Sequence, residues 1–97
     1  MGKPKSSGGK MRASHILVQK HGQLLKIIDK LDAGQRFENL AREFSECPSK
    51  KKGGDLGFFE RGKMVPEFEQ AVRTLKVGEI SEPVKTQFGW HLIKRTG

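Results

Sequence analysis

Residues 45–68 read Ser45-Glu46-Cys47-Pro48-Ser49-Lys50-Lys51-Lys52-Gly53-Gly54-Asp55-Leu56-Gly57-Phe58-Phe59-Glu60-Arg61-Gly62-Lys63-Met64-Val65-Pro66-Glu67-Phe68. The stretch holds the chain's one cysteine, a basic loop, a double glycine, a short apolar run and a Met64/Phe68 pair. Gly53-Gly54 breaks regular structure and supplies positive φ, which a residue without Cβ adopts freely. Asp55–Phe59 reads as a short strand, Arg61-Gly62-Lys63 as a turn and Val65–Leu75 as a helix. Pro66 suits the first helical turn and Glu67 the positive end of the helix dipole. Phe68, Ala71, Val72 and Leu75 then share one helical face. Ser45–Gly54 is a loop with a short helical turn after Cys47-Pro48.

Upstream, Phe37, Leu40, Ala41 and Phe44 keep helical spacing across Arg36–Phe44. Leu24, Leu25, Ile27, Ile28 and Leu31 do so across Gln23–Ala33, which Gly34 ends at a left-handed cap. Arg12–Val18 reads as a strand, and its apolar Ile16-Leu17-Val18 suggests a central strand covered on both faces. Downstream, Pro83–Thr86 and Trp90–Lys94 are strands joined by a Gln87-Phe88-Gly89 hairpin. The order β, α, α, loop, β, α, β, β predicts an α+β domain with a small, mostly antiparallel sheet under helices.

The 97 residues suffice for one small domain. Residues 1–10 carry Lys3, Lys5 and Lys10 among Gly, Ser and Pro, which predicts a disordered basic tail before a domain at 11–97. A net charge of +8 favours acidic partners in general. It leaves room for weak nucleic-acid binding through the tail and Lys50, Lys51 and Lys52. No apolar run approaches the roughly 18 residues of a membrane span, and no secretory apolar core is evident. A single cysteine points to a reducing compartment, hence a cytoplasmic and also nuclear location. Three scattered histidines and one cysteine, without a close ligand pair, give no reason to expect a metal.

Two histidines lie inside apolar strands. His15 precedes Ile16-Leu17-Val18, and His91 stands between Trp90 and Leu92-Ile93. A strand histidine is ordinarily a core residue satisfied by one hydrogen bond. If the two strands are neighbours, however, the imidazoles share a proton and each fixes the other's tautomer. Cys47 beside Glu46 is disfavoured as a thiolate, which argues against a covalent nucleophile. Asp55 is read as a loop cap and Lys50–Lys52 as a solvated run. Met64 and Phe68, with Phe59, suit a shallow pocket with thioether and aromatic walls for a ring such as proline.

These residues, in this order, resemble the parvulin-type peptidyl-prolyl cis/trans isomerases. The resemblance covers residues 12–97 and rests on linked motifs. They are Ser-His-Ile-Leu-Val at 14–18, Phe-Glu-Asn-Leu-Ala at 37–41, Phe-Ser-Glu-Cys at 44–47 and Gly-Gly-Asp-Leu-Gly-Phe-Phe at 53–59. Arg-Gly-Lys-Met-Val-Pro-Glu-Phe at 61–68, Val-Gly-Glu-Ile-Ser-Glu-Pro-Val at 77–84 and Phe-Gly-Trp-His-Leu-Ile at 88–93 continue the match. The resemblance implies a four-stranded sheet with about four helices, in the order β-α-α-α-β-α-β-β. It implies that His15 and His91 are the paired active-site histidines and that Cys47 stands where the family has cysteine or aspartate. It makes Thr86 the hydroxyl near the pair, Met64 and Phe68 the proline pocket, and Leu56 and Phe59 its flanking wall. Trp90 departs from the tyrosine or aliphatic residue more usual there.

The implied activity is rotation about Xaa-Pro bonds in peptides and folding proteins, by a monomer that needs no cofactor. Phospho-specific relatives carry a long, arginine-rich loop after the first strand. Here that connection is only Gln19-Lys20-His21-Gly22-Gln23, so no strict phosphate requirement is expected. Two other readings stay open from the residues alone. One is a chaperone-like module that binds proline peptides without turnover; the other is a basic nucleic-acid-associated protein.

Overall fold

The computed structural model of the protein describes residues 10–97. The expected tail, apart from Lys10, lies outside the described residues. The elements are β1 (Met11–Val18), α1 (His21–Asp32), α2 (Phe37–Phe44), a 3-10 helix (Pro48–Lys52), β2 (Asp55–Phe59), α3 (Pro66–Thr74), β3 (Val84–Thr86) and β4 (Gly89–Arg95). All strand pairs are antiparallel and the sheet order is β2-β1-β4-β3. The fold is therefore the expected α+β arrangement. Among the described residues the helices are three α-helices and one 3-10 turn, the latter being the helical turn expected after Cys47-Pro48.

Strand alternation separates two cores. Ile16, Val18 and Leu92 face α1 and α2, where Leu24, Ile27, Phe37, Leu40 and Ala41 cover them. Met11, Ala13 and Ile93 face α3 and pack with Phe59, Phe68 and Val72. β1 and β4 are thus central strands, buried on both faces, which explains why Ile16 and Ile93 are fully buried. Burial of a large aliphatic side chain contributes about 1.5–3 kcal/mol. These two layers hold the sheet in place around the histidines.

Helix α1 begins at His21, two residues before the expected Gln23. The Gln23 side chain accepts the Lys20 amide at 3.0 Å, so this residue closes the helix start from within. Its apolar stripe is also narrower than the spacing suggests. Leu24 and Ile27 are buried, whereas Leu25 turns outward.

Candidate active site

Register places the two histidines on one face. His15 pairs with Ile93 and His91 with Leu17, so the imidazoles are diagonal neighbours across β1 and β4 on the α3 side. Their Nδ1 atoms are 2.9 Å apart and the rings stack at 5.1 Å. Phe68, from α3, meets both rings edge-on with centroids 5.5 Å away. Both histidines are buried.

A chain of hydrogen bonds runs from the Phe88 amide through Thr86 to both imidazoles. The Phe88 amide donates to Thr86 Oγ1 at 3.1 Å. That hydroxyl lies 2.7 Å from His91 Nε2. With one hydrogen and a second lone pair left, Oγ1 either donates to His91 Nε2 or accepts from it. In the first case His91 Nδ1–H donates to His15 Nδ1, and in the second His15 Nδ1–H donates to His91 Nδ1. In both arrangements every member is satisfied except His15 Nε2, which is buried without a partner. Burial, then the neighbouring His91, pushes His15 down to about 4 from the ordinary 6.5. Burial alone pushes His91 down to about 4. The pair is neutral at pH 7.

Beside the pair lies a cavity of about 450 Å³. Its wall includes His15, His91, Cys47, Leu56, Met64 and Phe68, six of the eight residues expected at the site. Thr86 stands behind His91 rather than in the wall. Phe59 is not part of the wall, contrary to expectation. It is buried one layer back, its ring 6.2 Å from that of Phe68. Phe59 pairs with Met11, four residues along β1 from His15, and a bulge in β2 lies between it and Asp55. Arg12 to Ser14 spans two steps on β1, while Phe58 to Asp55 spans three on β2. Gly57, at φ +74°, absorbs the extra residue, so simple alternation along β2 fails.

Other residues of the site were not singled out from the sequence. Ser45, fully buried, accepts the Leu17 amide at 3.0 Å and the Cys47 amide at 3.3 Å. The Glu46 amide donates to Leu17 O at 2.8 Å. These bonds pin the Cys47 loop to β1, and a serine directly after an amphipathic helix is the signal for them. Phe88, largely exposed, joins the cavity wall with Leu17, Pro48 and Val65. Asp55 takes a two-point ion pair from Arg12, at 3.2 and 2.6 Å, and accepts the Gly57 amide. The Arg12 hydrogen bond leads in holding its carboxyl below the usual range. Asp55 is therefore the structural cap that the sequence suggested. Lys50–Lys52 are exposed and absent from the cavity wall.

An apolar pocket beside a neutral, buried histidine pair suits non-covalent handling of a ring-bearing peptide bond. The chain belongs to the PPIC-type PPIase domain family of rotamases, whose description it matches over residues 10–97. It is 54% identical over 88 residues to the foldase protein PrsA of Geobacillus kaustophilus, covering 90% of this chain and 31% of that one. The chain thus spans about a third of the length of the curated relatives it matches. Two solved structures match over their full length. The parvulin NmPin of Nitrosopumilus maritimus is 48% identical with a TM-score of 0.82, covering 98% of this chain and 100% of that one. CsPin of Cenarcheaum symbiosum is 50% identical with a TM-score of 0.80, covering 99% and 100%.

Proposed function

We propose that this chain catalyses cis/trans rotation about Xaa-Pro peptide bonds, non-covalently and without a cofactor. The observation that carries this reading is the 2.9 Å His15–His91 contact in the wall of a cavity that Met64, Phe68 and Leu56 make apolar. The uncatalysed barrier is about 18–20 kcal/mol because amide resonance resists twisting. Water strengthens that resonance by hydrogen-bonding the charge-separated carbonyl. A prolyl ring seated on Met64 and Phe68 sheds that water, which favours the twisted state. His15 Nε2, buried and unpartnered, is a polar atom available to the carbonyl as it turns, a donor in the tautomer that carries its proton there. Each ~1.4 kcal/mol of preferential stabilisation speeds rotation about tenfold.

His15, His91, Cys47 and Thr86 make up the polar side in this reading, and Leu56, Met64 and Phe68 the ring pocket. Cys47 shapes the wall and attacks nothing. The test is an isomerisation assay on short prolyl peptides with the parent, Met64→Ala and Cys47→Asp. The parent accelerates rotation, Met64→Ala raises KM, and Cys47→Asp keeps much of the activity. Absence of acceleration by the folded parent, or a covalent adduct of Cys47 seen by mass spectrometry, refutes the reading.

The same proposal takes proline-bearing peptides and folding proteins as partners and a monomer inside the cell as the working form. Exposed Lys50–Lys52 support weak, salt-sensitive contact with nucleic acid as a secondary property.

A further inference from the structure

Two charged side chains stand in the cavity wall, Glu46 and Lys63. They arrive from different loops, Glu46 after α2 and Lys63 after β2. Backbone bonds hold both positions: the Glu46 amide donates to Leu17 O at 2.8 Å, and the Lys63 amide to Glu60 O at 3.2 Å. Both side chains are exposed, and among the described residues neither has an ion-pair partner. The remaining wall is apolar or neutral. Glu46 adjoins Cys47 on the polar side of the cavity, and Lys63 adjoins Met64 on the ring-holding side.

We propose that Glu46 and Lys63 form a bipolar rim that selects the residues flanking the substrate proline, a basic one before it and an acidic one after it. This inference rests on the prolyl isomerase reading above. The bond that rotates joins the proline ring to the preceding residue. With the ring on Met64 and Phe68, the turning carbonyl faces His15, His91 and Cys47. That carbonyl belongs to the preceding residue, whose side chain then comes to Glu46. The chain after proline leaves on the Met64 side, past Lys63. An acidic residue there meets the lysine, and a basic residue before proline meets the glutamate.

The chain's net charge of +8 and the lysines at 50–52 act on a peptide's total charge. Two peptides of the same composition and opposite order feel that field alike, so their difference reports the rim. Exposed ion pairs are individually weak, so the expected preference is about threefold to tenfold in kcat/KM. At ~1 M salt the Debye length falls to about 3 Å and the preference collapses.

The experiment measures kcat/KM on blocked peptides containing Lys-Pro-Glu, Glu-Pro-Lys and Ala-Pro-Ala, at low salt and at ~1 M salt. The parent turns over Lys-Pro-Glu faster than Glu-Pro-Lys at low salt only. The double variant Glu46→Lys/Lys63→Glu inverts the order, and the milder Glu46→Gln and Lys63→Gln each shrink the ratio. Equal rates for the two charged peptides, the opposite order, or a ratio unmoved by these substitutions overturns the rim while turnover of Ala-Pro-Ala keeps the isomerase reading standing. If folded parent accelerates none of the three, the isomerase reading fails and the rim with it.

Discussion

The 2.9 Å bond between His15 Nδ1 and His91 Nδ1 exists only while one of those nitrogens is bare. Protonating both imidazoles sets two N–H groups against each other in a buried site. This gives stability a definite pH dependence. In the unfolded chain each histidine takes its proton near 6.5, whereas in the fold each holds off until about 4. Between those values the unfolded state binds more protons, so acidification favours unfolding. The stabilising contribution is complete above pH ~6.5, declines on the way to pH ~4 and is level below it, with each histidine giving at most about 1.4 kcal/mol per pH unit. Urea unfolding of the parent should show this decline, and His15→Leu/His91→Leu should flatten it. An equally steep decline in the double variant would assign it to carboxylates instead. The pair was legible in the sequence because two imidazoles in apolar strands need an internal partner. Ser45 and Thr86 were less so as a network, since a hydroxyl shows its partner only once the chain is folded. Phe59 misled because only the register, which pairs it with Met11, shows how far along β1 it lies from His15.

Elements hold the site through backbone as much as through side chains. Gly54, at φ +90°, lies directly against β1. Its carbonyl accepts the His15 amide at 2.9 Å, and a Cβ there would sit 2.5 Å from His15 O. Gly34, at φ +104°, has nothing within 4 Å of its missing Cβ. Alanine at either site strains the backbone by about 1–3 kcal/mol, but only at Gly54 must β1 also move. Gly54→Ala should therefore destabilise by at least ~1 kcal/mol more than Gly34→Ala and lower turnover by displacing His15. Denaturant midpoints and peptide assays on the two variants check this, and equal effects would mean that β1 yields freely. Helices α2 and α3 were readable from spacing, since Phe37, Leu40, Ala41, Phe68 and Val72 are all buried as expected. The weaker case is α1, where adjacent Leu24 and Leu25 fit the period equally well and only packing against β1 and β4 chooses Leu24.

Across the whole molecule, the connection between β1 and α1 is just Gln19 and Lys20. It holds no arginine fork able to take a phosphate with two bonds, and the charged wall residue nearest Cys47 is Glu46, which repels an anion. A phosphoserine before proline should then gain nothing. Matched Ser-Pro and phospho-Ser-Pro peptides should differ by less than about tenfold in kcat/KM, and a hundredfold gain for the phosphopeptide, about 2.7 kcal/mol, would reveal a phosphate site elsewhere. The fold class was legible because the element order admits few arrangements, and the loop lengths forbid parallel crossovers for the last strands. One long-range consequence follows from the sheet order. His15 and His91 lie 76 residues apart on the two central strands. As the chain leaves the ribosome, β1 emerges with its imidazole and must wait for 76 further residues before β4 supplies the other. Until then, no shorter nascent segment contains the paired centre. The paired centre is thus a property of the assembled sheet and of no local segment of the chain.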